Sequence, residues 1–120
     1  EIIQKIDKEK YSAVKINKFI EKVKSSDTII SVCMTKDESN RVPEWEEIAA
    51  VSMAVQNMWL SCYVNNIGSY WSTPALKDDY AKHSGLNSNQ KSLGFFFMGS
   101  YKHIETPKVR DVLDSKVEWV

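Results

Sequence analysis

The stretch from Ile48 to Val64, IAAVSMAVQNMWLSCYV, is apolar or small around nearly the whole circumference of a helix, and this restricts the chain more than any other feature. A bilayer accepts such a helix. The stretch falls short of the roughly 20 apolar residues that a membrane span needs, carries Gln56 and Asn57 near its middle and follows Glu44, Glu46 and Glu47. It therefore reads as a soluble helix buried on all sides, at the centre of the fold or between two subunits. Ala49, Ala50, Ser52, Ala54 and Ser61 leave room for close neighbours. Pro43 and the three glutamates supply its start, because negative side chains complement the helix dipole. Asn65, Asn66, Ile67 and Gly68 supply its stop.

The flanking segments alternate helix and strand. From Ile2 to Val23 the positions Ile2, Ile3, Ile6, Tyr11, Val14, Ile16, Ile20 and Val23 carry a helical period in one or two pieces, with a Lys-rich face left to solvent. Thr28 to Met34, TIISVCM, is a β-branched run that predicts a buried strand. Thr35 to Pro43 is a polar loop. Beyond Gly68, SYWS predicts a short strand, and Thr73 and Pro74 read as an N-cap and first helical residue. Leu76, Tyr80 and His83 form that helix's stripe and Gly85 ends it. SLGFFFMGS, Ser92 to Ser100, predicts another buried strand, and the tail after Pro107 ends near Trp119, a side chain expected to pack on something such as a second subunit. The order predicts a layered α/β or α+β domain, single over residues 1–120.

Composition narrows the function classes. Sixteen basic and 16 acidic side chains cancel, whereas a general nucleic-acid binder carries an excess of cations. Cys33 and Cys62 both lie in apolar runs, without a partner at metal-ligand spacing, and read as small buried hydrophobes in a reduced cytoplasmic compartment. His83 and His103 sit among polar neighbours, the glutamates Glu44, Glu46 and Glu47 are explained by the helix start, and neither a nucleophile elbow nor a glycine-rich phosphate loop is present. No self-contained catalytic constellation is visible. What remains is Tyr70, Trp71, Ser72 and Thr73, aromatics beside hydroxyls at a strand-to-helix junction, a suitable place for a flat ligand bearing a phosphate.

Two stretches together resemble the nitroreductase family of flavoproteins. In VPEWEEIAAVSMAVQNMWLSCYVNNIGSYWST, Val42 to Thr73, a long central helix with Ala-x-Gln-Asn runs into a Gly-containing turn and a short aromatic strand. In LNSNQKSLGFFFMGSYK, Leu86 to Lys102, a strand of large apolar residues leads into Gly. The tail with Pro107, Lys108 and Arg110 is similar to the family's C-terminal arm. The resemblance implies an α+β fold, a layered sheet flanked by helices, with the long central helix at the interface of a homodimer. It also implies an FMN-dependent enzyme that passes a hydride from NAD(P)H to flavin and then to a nitroaromatic, quinone or similar acceptor in ping-pong fashion. By the same resemblance Tyr70, Trp71 and Ser72 match the segment that passes over the isoalloxazine ring, with Thr73 a further contact, and Lys108 and Arg110 match basic residues that in some relatives reach the FMN phosphate. A cofactor that carries the redox chemistry accounts for the thin catalytic inventory. Gln56 and Asn57, within the helix motif, read as buried amides that satisfy neighbouring backbone.

The chain departs from the family pattern at its start. Relatives open with an Arg-Arg-Ser-x-Arg type phosphate grip and then carry a Pro-Ser-x-x-Asn-x-Gln-Pro-Trp-like stretch, and these 120 residues hold neither. Glu1 enters directly into an apolar-periodic run. The chain thus resembles the C-terminal two thirds of a family member, a domain incomplete at its N-terminus, and the isolated polypeptide is expected to bind FMN weakly or not at all. An alternative expectation is a non-catalytic dimeric ligand-binding module of the same fold that has lost tight flavin binding. A third is a flavin-fold enzyme with another task, such as dehalogenation or azole oxidation.

Overall fold

The computed structural model describes residues 7, 9–102 and 110–119. Along the chain run α1 (Ala13–Lys24), β1 (Thr28–Thr35), α2 (Glu44–Val64), β2 (Gly68–Ser72), α3 (Lys77–His83) and β3 (Gln90–Gly99), followed by a short 3-10 turn (Leu113–Ser115). The strands form one antiparallel sheet in the order β1-β3-β2. The last strand in sequence is therefore the central one, which fits its composition, because β3 is buried on both faces and reads as a continuous apolar run.

Helices cover both faces of this sheet. On one face Ile16 and Phe19 of α1 and Leu76 just before α3 close over Phe95 and Phe97. On the other, Val55 and Cys62 of α2 pack with Val32, Met34, Leu93 and Phe96. Leu93 and Phe96 lie three positions apart, yet they share a face. Val32 pairs with Gly94 and Cys33 with Ser92, so β3 carries an extra residue there, and Gly94 takes φ +111°, a conformation open mainly to glycine. Ordinary alternation sends Phe95 and Phe97 to one core and Phe96 to the other, and the bulge resets it so that Leu93 joins Phe96.

The chain packs α2 on one face only. Ile48, Val51, Val55, Met58 and Cys62, spaced three and four apart, lie against the sheet. Trp45, Met53, Leu60, Tyr63 and Val64 are exposed, between 52% and 77%. The expectation of a helix buried on all sides is thus met within one chain on its sheet-facing stripe alone. Gln56 and Asn57, expected to be buried amides, are exposed on the open side, because the heptad that meets the sheet skips them.

Other expectations shift by a few residues. α2 ends where expected, with Asn65 as C-cap and Asn66 at φ 55°. The helix expected to start at Thr73 and Pro74 begins instead at Lys77. Pro74 opens a turn whose carbonyl accepts from the Lys77 N–H at 3.0 Å, and Thr73 does not cap it. Gly85, at φ 74°, follows its end. Of the expected stripe, Leu76 is buried and Tyr80 partly so, while His83 is exposed. Cys62 is buried as expected, but Cys33 is exposed, since the alternation that buries Val32 and Met34 turns it to the uncovered side of the edge strand β1. Trp119 is 87% exposed and lies outside both cores formed by the described residues. Ile2, Ile3, Ile6, His103 and Pro107 lie outside the described residues.

The segment before α1 is tied to α3 by an ion pair. Lys10 Nζ donates to Asp79 Oδ1 at 2.7 Å, and the Tyr11 phenol donates to the Ala75 carbonyl at 3.3 Å. Asp79 is buried, and the Lys10 bond, followed by Tyr11, holds its carboxyl below the usual carboxylate range. Its Oδ2 has no hydrogen-bond partner among the described residues.

Candidate functional site

β2 is an edge strand, and its alternation distributes the aromatic and hydroxyl residues that the sequence singles out over two faces. Tyr70 and Ser72 face α1. Tyr70 stands opposite Phe97 in the register and stacks on it, with ring centroids 5.1 Å apart and planes 12° from parallel. Tyr70 is 36% exposed, and partial burial pushes its phenol above the ordinary value of 10.0, so the phenol stays protonated across the physiological range.

Trp71 points the other way. Its indole N–H donates to the Leu93 carbonyl at 3.0 Å and its ring packs into the α2-side core. It therefore does not share a surface with Tyr70 and Ser72, as a set of four contacts to one ring would require. Thr73 is exposed just beyond the strand end. Its position is dictated by Gly94: a Cβ there would lie 2.4 Å from the Ser72 carbonyl oxygen and 3.1 Å from both Thr73 Cα and Cγ2. The backbone at Ser72 and Thr73 rests directly on the bulge.

A side chain not anticipated from the sequence joins this face. Lys22, in the last turn of α1, places Nζ 3.1 Å from Ser72 Oγ and 5.4 Å from the centroid of the Tyr70 ring. Its own carbonyl accepts from two hydroxyls, Ser25 Oγ at 3.2 Å and Ser26 Oγ at 2.7 Å, which fixes the end of the helix from which the side chain reaches. Among the described residues no carboxylate pairs with Lys22. In sequence Lys22 is one of several lysines on α1, and nothing in the spacing separates it from Lys15, Lys18 or Lys24. Gly94 had a legible signal, since a glycine inside a strand pattern marks a bulge or a close backbone approach.

The remaining expected site residues do not join this cluster. Arg110 is exposed, and Lys108 lies outside the described residues. Two of the three glutamates at the start of α2 make structural bonds: Glu44 accepts from Lys91 Nζ at 2.6 Å, and Glu47 Oε1 accepts from the Asp37 N–H at 2.5 Å. Among the described residues, no group of His, Cys, Asp and Glu could hold a metal ion, and no helix is long and apolar enough to cross a membrane.

A central antiparallel strand between α1 and α3 on one side and a long helix on the other defines the class, a three-layer α+β domain. Residues 4–100 match the sequence profile of the Nitroreductase family, and the chain belongs to that family. Its fold is similar to the crystal structure of the nitroreductase-like family protein from Bacillus cereus, with a TM-score of 0.79 at 21% sequence identity. That likeness covers 99% of this chain but only 64% of the Bacillus cereus chain. Among curated proteins none matches.

Proposed function

We propose that this protein is an FMN-dependent oxidoreductase that takes a hydride from NAD(P)H and delivers it, in a ping-pong cycle, to a nitroaromatic, quinone or similar acceptor. The observation that carries this reading is the family match over residues 4–100. Membership of the nitroreductase family points to oxidoreduction on a flavin, and the chemistry of the donor set beside β2 fits such a group. A half-exposed aromatic ring and two hydroxyls stand at a strand end, with a cation alongside. When bound, FMN supplies the hydride relay, so the chain's task is to place and shield it.

In this reading each residue has a definite task. Tyr70 presents an aromatic surface held flat by Phe97, and its protonated phenol can donate a hydrogen bond. Ser72 and Thr73 offer hydroxyls at a place set by the Gly94 bulge. Trp71 acts as a positioning residue: its bond to Leu93 pins β2 to β3 and so holds Tyr70 and Ser72 in register. Arg110, and Lys108 beyond the described residues, complete the proposal as cations for the phosphate.

The same reading includes a homodimer. Its support is the open face of α2, where Trp45, Met53, Leu60, Tyr63 and Val64 form an apolar surface larger than scattered single exposures. A matching helix from a second copy would cover it in a two-fold arrangement.

Purified full-length protein tests the proposal. It is expected to be yellow and to oxidise NADPH in the presence of a nitroaromatic. A colourless protein that does not respond to added FMN favours the non-catalytic dimeric module instead.

A further inference from the structure

We infer that Lys10 and Asp79 are a positioning pair for the flavin site: their ion pair fixes α3, and through it the connection that carries Thr73 and follows Ser72. The inference goes beyond the flavin reading above and rests on it for the identity of the ligand. β2 ends at Ser72 and α3 begins at Lys77, so four residues join the strand end to the helix. The ring of Pro74 stiffens them, and its carbonyl accepts from the Lys77 N–H at 3.0 Å. A shift of α3 is therefore passed on to Thr73 and Ser72.

The helix does not hold its own place. At seven residues α3 lies well below the roughly 12–15 at which an isolated helix becomes even marginal. Leu76 and the Tyr80 ring, edge-on to Phe95 at 5.2 Å, secure its apolar side. The segment before α1 adds two polar bonds, from Lys10 Nζ to Asp79 Oδ1 at 2.7 Å and from the Tyr11 phenol to the Ala75 carbonyl at 3.3 Å. Two adjacent residues thus grip α3 and its leading turn at points about one helical turn apart, which restricts both rotation and sliding.

Among the described residues Asp79 is the one buried charged side chain, 6% exposed, and its Oδ2 has no hydrogen-bond partner. A buried ion pair seldom adds stability over an apolar pair of similar volume, yet removal of one partner is strongly destabilising. Such a pair penalises every placement of α3 that parts the two charges. Its effect falls on where α3 sits more than on how stable the fold is, and the two effects separate when both charges are replaced together.

The double variant Lys10→Met/Asp79→Leu, made in the full-length protein, puts apolar groups of similar size in place of the pair. Its Tm is expected to equal or exceed that of wild type. Its FMN dissociation constant is expected to rise about tenfold, whereas Lys10→Arg, which keeps the charge and the bond, stays within about twofold of wild type. A double variant that recovers wild-type FMN binding along with its Tm overturns the inference, since the pair would then serve stability alone. Amide resonances of the ligand-free protein give a second reading. Those of Ser72 and Thr73 are expected to move in Lys10→Met and to keep their wild-type positions in Lys10→Arg, and resonances unmoved at Ser72 and Thr73 in Lys10→Met overturn the inference. A wild-type protein that takes up no FMN removes the flavin reading, and the same resonances then decide whether the pair sets the strand end. They decide likewise if the double variant fails to fold.

Discussion

Gly94 and Gly85 both hold positive φ, at +111° and +74°, but they differ in what surrounds them. Around Gly85 nothing lies within 4 Å of a would-be Cβ, so Gly85→Ala costs only backbone strain, about 1 kcal/mol. At Gly94 the added carbon meets the Ser72 carbonyl oxygen at 2.4 Å. Strain of about 1–3 kcal/mol at the dihedral is joined by forced movement of the Ser72–Thr73 backbone. Gly94→Ala is expected to cost at least twice as much as Gly85→Ala, and at roughly 4–8 °C per kcal/mol for a small domain to lower Tm by ~10 °C. Thermal melts of the two variants check the ratio, and equal shifts would show that the close approach carries no energy. Asp79 gives a pH prediction. Its folded pKa is depressed, so its stabilisation is present above the unfolded value of about 4 and is lost as pH falls through the folded value. Wild type should therefore exceed Asp79→Asn in stability at neutral pH, with the gap closing below about pH 4. Urea unfolding at several pH values measures it, and a gap that widens toward acid refutes the sign.

At the level of elements, α2 was the most legible part of the chain and also the one whose burial a single chain satisfies least. Its start at Glu44 and stop at Asn65 follow from Pro43, the acidic first turn and the two asparagines. Which stripe meets the sheet could not be read from residues that are apolar all round, and the heptad through Ile48, Val55 and Cys62 emerges only in the packing. β3 was legible as a buried strand, and Gly94 carried a signal for its bulge, but that the bulge puts Leu93 and Phe96 on the same face emerges only in the pairing. α3 starts later than its Thr-Pro signal because Pro74 opens a turn instead. Met53 and Leu60, 64% and 52% exposed, give the test of the open face. In a monomer, Met53→Glu and Leu60→Glu are surface changes worth within about 0.5 kcal/mol each. In the proposed dimer they bury charge, and the double variant should sediment as a monomer with nearly unchanged Tm of the isolated subunit. A double variant that sediments like wild type removes α2 from the interface.

For the whole molecule, family and layer order were readable from the sequence because motifs and their spacing survive in order from Val42 to Lys102. The site was readable only in outline. Tyr70, Ser72 and Thr73 stand where a strand end brings hydroxyls and an aromatic together, but Trp71 belongs to the opposite face and Lys22 arrives from an element distant in sequence. Such convergence is a tertiary property that no local pattern encodes. In the proposed function, the sheet and the bulge would hold one flavin against β2. Titration of the full-length apoprotein with FMN, followed by the flavin absorption spectrum, tests this most directly. Saturable sub-micromolar binding with a shifted spectrum, and bleaching on addition of NADPH, is the predicted result; a flavin spectrum unchanged at any protein concentration would contradict it.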